Sequence, residues 1–135
     1  VNTSPEIVLV EDDAREAELV VSALGPEVRV TTVTDGATVL ARLRDHPPRL
    51  VLLDLKMGGA TGFDVLAAIR GDPGLHAVPV VVLTSSSDPR DVERAQSLGA
   101  HGYVVKPIAH ERLAERLGAL RELWLSPAPR TGVAT

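Results

Sequence analysis

Five short aliphatic runs recur along the chain, each followed by a polar break and then by apolar residues three and four positions apart. "IVLV" (7–10) precedes Ala17, Val20, Val21 and Leu24, which share one face of a helix. "VRVTTV" (28–33) alternates, as a strand with one buried face does. "TDG" (34–36) then opens a helix carrying Val39, Leu40 and Leu43. "LVLL" (50–53) leads through a glycine-rich stretch to Phe63, Leu66 and Ile69. "VVVL" (80–83) precedes "SSSDP", where Asp88 suits an N-cap and Pro89 the first helical position. "YVV" (103–105) comes last, before a stripe of Leu113, Leu117, Leu120 and Trp124.

Strand and helix alternating at this spacing predict an α/β fold, (βα)₅, with helices on both faces of a five-stranded parallel sheet. Runs one, three and four are continuously aliphatic, as central parallel strands are; runs two and five are alternating or short, as edges are. The order 2-1-3-4-5, the flavodoxin-like doubly wound arrangement, fits that distribution. One domain over 5–125 is expected. The remaining residues, 126–135, have no periodic signal and are expected to be a tail without an output domain.

Composition narrows the chemistry. A length of 135 residues suits a single core. The net charge of −4 is spread through the chain with no basic block, and one Phe, one Tyr and one Trp offer no base-stacking platform, so direct nucleic-acid binding is not expected. The absence of cysteine excludes disulfides, thiol catalysis and cysteine-ligated metals. No apolar run approaches a membrane span and no signal-peptide pattern opens the chain, so a cytoplasmic location without membrane contact is expected.

The residues after each strand carry the chemistry. Strand one ends in Glu11-Asp12-Asp13, strand three in Asp54, strand four in Thr84-Ser85, and strand five in Lys106-Pro107. In a parallel sheet these ends share one edge, and ligands of open α/β sheets bind there, where strand order reverses. Glu11, Asp12 and Asp54 gather about three negative charges, whose repulsion raises at least one pKa. Lys106 offsets one charge, and a hard divalent cation, Mg²⁺ or Mn²⁺, suits the remaining oxygens. A cation, an ammonium and a hydroxyl around one carboxylate form an acceptor site for a phosphoryl group. Asp54, the single acid on the central strand, is the nucleophile candidate, and Glu11 and Asp12 the metal cradle.

Four ordered motifs, "VLVEDD" (8–13), "LVLLDLKMGGATG" (50–62), "VVVLTSSS" (80–87) and "GAHGYVVKP" (99–107), resemble the receiver domain of bacterial two-component response regulators over residues 6–124. The resemblance implies that Asp54 is the phosphoacceptor and that Glu11, Asp12 and the Lys56 backbone carbonyl join it around Mg²⁺. It implies that Lys106 and Thr84 bind the phosphoryl group and that Thr84 and Tyr103 act as the switch. Lys56 and Ser86 fall at variable positions that influence dephosphorylation timing. The implied partners are a histidine kinase and a downstream protein or phosphotransfer carrier. The implied output surface is the face of the fourth helix, fifth strand and fifth helix, which also offers a route to a homodimer. "EDDAREAEL", "VVVLTSSSDPRDV" and a Trp closing the last helix resemble, more narrowly, the stand-alone receivers that serve phytochrome-type photoreceptor kinases. Gly58 stands where proline is frequent, Thr61 where an acid is common, and Ser85 where Ala or Gly is usual.

Other readings of the same residues exist. Asp54 alone would pass for a turn residue, and Asp13 suits an N-cap whatever its neighbours do. A receiver fold serving as a binding module without phosphorylation would keep the same pattern. A dehalogenase-type phosphatase would need an acid where Lys56 stands, and a dinucleotide site would need glycines where strand one has acids, so separate substrate turnover is not expected. Trp124 suits core packing or an interface. His46, His76, His101 and His110 lack metal-ligand spacing and are expected in solvent, with His101 near enough to strand five to watch.

Overall fold

The computed structural model describes residues 6–56, 61–107 and 110–125. The expected loop position Gly58, the tail 126–135 and the side chain of His110 lie outside what is described. Strands and helices alternate: β1 (Glu6–Val10), α1 (Ala14–Leu24), β2 (Arg29–Val33), α2 (Gly36–Asp45), β3 (Leu50–Leu53), α3 (Gly62–Gly71), β4 (Val80–Thr84), α4 (Pro89–Ser97), β5 (Gly102–Val105) and α5 (His110–Leu125). All strand pairs are parallel, in the order β2-β1-β3-β4-β5. This is the expected flavodoxin-like fold.

The aliphatic runs are buried on both faces because successive side chains point to opposite sides of the sheet. Val8, Val10, Val51, Leu53, Val80 and Val82 pack with Val39 and Leu43 of α2, Phe63, Leu66 and Ile69 of α3, and Ala95 of α4. Ile7, Leu9, Leu50, Leu52, Val81 and Leu83 pack with Ala17, Val20 and Leu24 of α1 and Leu113, Leu117 and Leu120 of α5. The edge strands are less covered: β5 is half-buried along its length, and β2 buries only Val33.

Helix entries follow the local chemistry. Asp13 accepts hydrogen bonds from the backbone N–H groups of Arg15 and Glu16, Asp35 from that of Ala37, and Asp88 from that of Arg90, with Pro89 in the first turn. Each satisfies an amide that the helix itself leaves unpaired. Thr61, set where an acid is common, caps α3 in a reciprocal capping box with Asp64.

One expectation needs correction. Val21 faces outward, 39% exposed, because α1 buries the narrower stripe Ala17-Val20-Leu24 against the sheet and α5. His101 is exposed, as expected, and also has partners: its Nδ1 accepts the Val80 N–H at 3.2 Å, and its ring meets Trp124 edge-on at 5.9 Å. Trp124 itself packs, partly buried, against the α1/α5 side of the core. Among the described residues, no helix is long and apolar enough to cross a membrane.

Candidate functional site

Chain order reverses between β1 and β3, and the loops leaving the strands there diverge to form a crevice. Backbone hydrogen bonds carry the ladder one residue past the strands: Asp54 N–H donates to Val10 O at 3.1 Å, Glu11 N–H to Val33 O at 3.1 Å, and Lys106 N–H to Thr84 O at 2.7 Å. The functional side chains are therefore attached to the rigid sheet rather than to free loops. A cleft of about 360 Å³ results, lined by Glu11, Asp12, Asp13, Glu16, Asp54, Lys56, Ser85 and Lys106.

Asp54 is 7% exposed and sits at the cleft floor. Its Oδ1 accepts the Lys56 N–H at 3.1 Å, which orients the carboxylate. The start of α3 presses close behind: Gly62 N–H donates to Leu55 O at 3.0 Å, and a Cβ on Gly62 would lie 2.3 Å from the Asp54 carbonyl oxygen. Only glycine admits that approach.

Lys106 reaches across the crevice. Its Nζ lies 2.9 Å from Glu11 Oε1, 3.0 Å from Glu16 Oε1 and 3.5 Å from Asp54 Oδ2. Burial works against its charge, but the hydrogen bonds to Glu11 and Glu16 and the charges of Asp54 and Glu11 outweigh it, and the Lys106 pKa rises. Glu11, 2% exposed, shows the other side of that sharing. Burial pushes its carboxyl up to about 7, Lys106 pulls it down, and Asp54 adds to the rise. One ammonium divided among three carboxylates does not cover the cost of removing Glu11 from water.

This deficit of positive charge fits a hard cation. Glu11, Asp12 and Asp54 present oxygen donors to one solvent-open cleft, the donor type Mg²⁺ and Mn²⁺ prefer. Among the described residues, no three acids or histidines already stand together as a metal cage.

The remaining predicted residues sit around this centre. Thr84 is fully buried and does not line the cleft; its Oγ1 accepts the Ser86 N–H at 3.4 Å. Ser86 ties the loop after β4 to α4, donating from Oγ to Asp91 Oδ2 at 2.5 Å and accepting the Asp88 N–H at 3.3 Å. The Tyr103 hydroxyl donates to Ser86 O at 2.9 Å, and burial raises its pKa. A hydrogen-bonded path Thr84–Ser86–Tyr103 thus runs from the β4 end to β5. Glu16 is the residue the strand-end reasoning missed. It lies in the first turn of α1, and its signal was positional: one helical turn past Asp12, on the side of the helix that meets the cleft.

Comparison with known proteins places this geometry. The family model for the response regulator receiver domain matches residues 7–118. The chain is 38% identical over 136 residues to a probable methanogenesis regulatory protein, FilR2, of Methanothrix harundinacea, covering 91% of this chain and 88% of that protein. It is 37% identical over 130 residues to the DNA-binding response regulator MtrA of Mycobacterium tuberculosis, covering 95% of this chain but spanning only 56% of MtrA. Among solved structures, the phosphorylated cyanobacterial phytochrome response regulator RcpA superposes with a TM-score of 0.86 at 34% identity, covering 94% of this chain and 98% of that one. The Mn²⁺-bound form of response regulator Rcp1 superposes with a TM-score of 0.81 at 30% identity, covering 93% and 97%. The chain belongs to the response regulator receiver domain family.

Proposed function

We propose that the protein is a phosphoacceptor switch that receives a phosphoryl group from a histidine kinase on Asp54. The observation that carries this reading is the buried Asp54 carboxylate, held by the Lys56 amide in a cleft it shares with Lys106 and Glu11. In the transfer, a carboxylate oxygen of Asp54 forms a bond to phosphorus as the donor's phosphorus–nitrogen bond breaks. The donor imidazole, protonated on its other ring nitrogen, takes the bond's electron pair and leaves as a neutral base, and the acyl phosphate remains on Asp54. Lys106 has only to move from Glu11 and Glu16 toward Asp54 to meet the added charge, and the Thr84 hydroxyl has to leave the Ser86 amide to donate to it.

Glu11, Asp12, Asp54 and the Lys56 carbonyl would hold Mg²⁺ or Mn²⁺. When bound, the ion would supply charge neutralisation to the transferring group. Release of Ser86 from Thr84 loosens the loop that anchors the Tyr103 hydroxyl, and so alters the α4–β5–α5 face offered to a downstream protein, a phosphotransfer partner or a second copy. Lys56, which lines the cleft, and Ser86, in the loop after β4, are the positions that tune how long the phosphoryl group lasts. The likeness to the cyanobacterial phytochrome response regulator RcpA supports a phytochrome-type photoreceptor kinase as the donor. No separate substrate turnover is part of this reading.

Incubation with Mg²⁺ and acetyl phosphate tests it. Intact-protein mass spectrometry is expected to show the gain of one phosphoryl group, absent in Asp54→Ala. An unmodified protein that still binds Mg²⁺ would sink the proposal and favour a binding module that works without phosphorylation.

A further inference from the structure

Of the three carboxylates on Lys106, two have a place in the proposed chemistry: Asp54 takes the phosphoryl group and Glu11 turns to the metal. Glu16 has none, yet its Oε1 lies 3.0 Å from Nζ, closer than the 3.5 Å of Asp54 Oδ2. It stands on a different element from either, in the first turn of α1, where Asp13 caps the helix and fixes its direction. Its side chain is 41% exposed, against 2% for Glu11, so it forms the solvent side of the ammonium's coordination.

We infer that Glu16 is a positioning residue that competes with the phosphorylated acceptor for Lys106. The inference rests on Asp54 being that acceptor. An ammonium has three donors, and at rest each faces one carboxylate. A cation drawing Glu11 away leaves Lys106 between the acceptor and Glu16. Neither the metal nor the phosphoryl group removes Glu16, so its charge sets how fully Lys106 is committed to the phosphoryl oxygens. Each move of Lys106 toward Asp54 also breaks its tie to the start of α1, making that helix entry a second place where the state of Asp54 is felt. Glu16 does not touch the reacting atoms, and its role is exerted through Lys106 alone.

Two measurements on Glu16→Gln test this, with Asp13→Asn as a charge control. Asp13 lines the same cleft and loses the same charge, but asparagine still caps α1 and no Asp13 oxygen is bonded to Lys106. In metal-free protein, the side-chain ammonium resonance of Lys106 is expected to shift in Glu16→Gln and to stay in place in Asp13→Asn. With Mg²⁺ present, beryllofluoride, a mimic of the phosphoryl group, is expected to bind Glu16→Gln about threefold more tightly than wild type. The gain in Asp13→Asn should be smaller. A purely structural Glu16 would change the unfolding midpoint and neither readout. An unmoved Lys106 resonance, or a beryllofluoride gain no larger than that of Asp13→Asn, overturns the inference. A wild-type chain that takes neither beryllofluoride nor a phosphoryl group removes the underlying reading instead.

Discussion

The two ends of the sheet treat charge in opposite ways. At the amino end, cations and acceptors are matched within the fold. Arg42 pairs with Glu6, which also accepts from Thr31. Arg70 runs beneath Gly99 and donates to the carbonyl oxygens of His76 and Val78, fastening the approach to β4. At the carboxyl end, Lys106 is shared by Glu11, Glu16 and Asp54. The first arrangement is nearly closed: among the described residues, only the Arg70 Nε is a buried side-chain polar atom without a hydrogen-bond partner. The second is open, with acids in excess and a cleft through which compensation arrives. On the proposed reading, a site that accepts a cation and a phosphoryl group would hold more negative charge at rest than stability alone would choose.

The largest way to break this contrast is mechanical. Gly62→Ala sets a Cβ 2.3 Å from the Asp54 carbonyl oxygen and 2.5 Å from Leu55 Cα, both backbone and unable to swing aside. We expect a loss of about 3 kcal/mol in urea unfolding together with weakened Mg²⁺ binding, since the residue displaced is the proposed acceptor. Gly71→Ala, at the far end of the same helix with nothing within 4 Å, should instead hold or slightly raise stability. Equal losses in the two would show that α3 helicity, not the approach to Asp54, is at stake.

A charge change should separate the two ends by sign. Asp54→Asn removes one acid from the open end, keeps an oxygen for the Lys56 amide, and is expected to stabilise the metal-free protein by about 1 kcal/mol while abolishing phosphorylation. Arg42→Met at the closed end leaves Glu6 without its cation and is expected to cost about 2 kcal/mol, whether Mg²⁺ is present or not. Destabilisation by Asp54→Asn in the presence of a chelator would mean that the carboxylates of the open end are satisfied at rest.

Sheet order, core and most of the site were legible because they depend on short patterns. Continuous aliphatic runs mark β1, β3 and β4 as central, and a parallel sheet delivers whatever follows them to one edge, so Glu11, Asp54 and Lys106 could be grouped from the chain alone. The helix caps Asp13, Asp35 and Asp88 were legible for the same local reason. What escaped is set by distance and direction. Glu16 joins Lys106 across 90 positions of sequence and through the rotation of α1, which no strand-end rule samples. Val21 follows a helical spacing that fits the buried stripe, and only the placement of α1 against α5 decides that it faces water. His101 gains a partner because β4 begins beside it, a matter of register rather than composition.

The finest test of the contrast is pH, because the two ends carry titrating groups displaced in opposite directions. Burial lifts the folded pKa of Glu11 from 4.5 to about 7. The folded protein therefore holds a proton there that the unfolded chain has released, and stability falls as pH rises from about 4.5 to about 7. Below that window the penalty is absent, and above it the penalty is complete. Partial burial and the Arg70 charge lower the His101 pKa from 6.5. There the unfolded chain takes up the proton first, so its contribution is present above pH 6.5 and declines as pH falls below it. On the proposed reading, Mg²⁺ would meet the carboxyl end only. Urea midpoints of wild type and Glu11→Gln, followed from pH 4.5 to 8 with chelator and with Mg²⁺, should show the downward slope toward neutrality in metal-free wild type alone. The acid-side loss from His101 should persist in every sample. Parallel profiles for wild type and Glu11→Gln in chelator would mean that Lys106 neutralises Glu11 fully, and that the open end is as closed as the other.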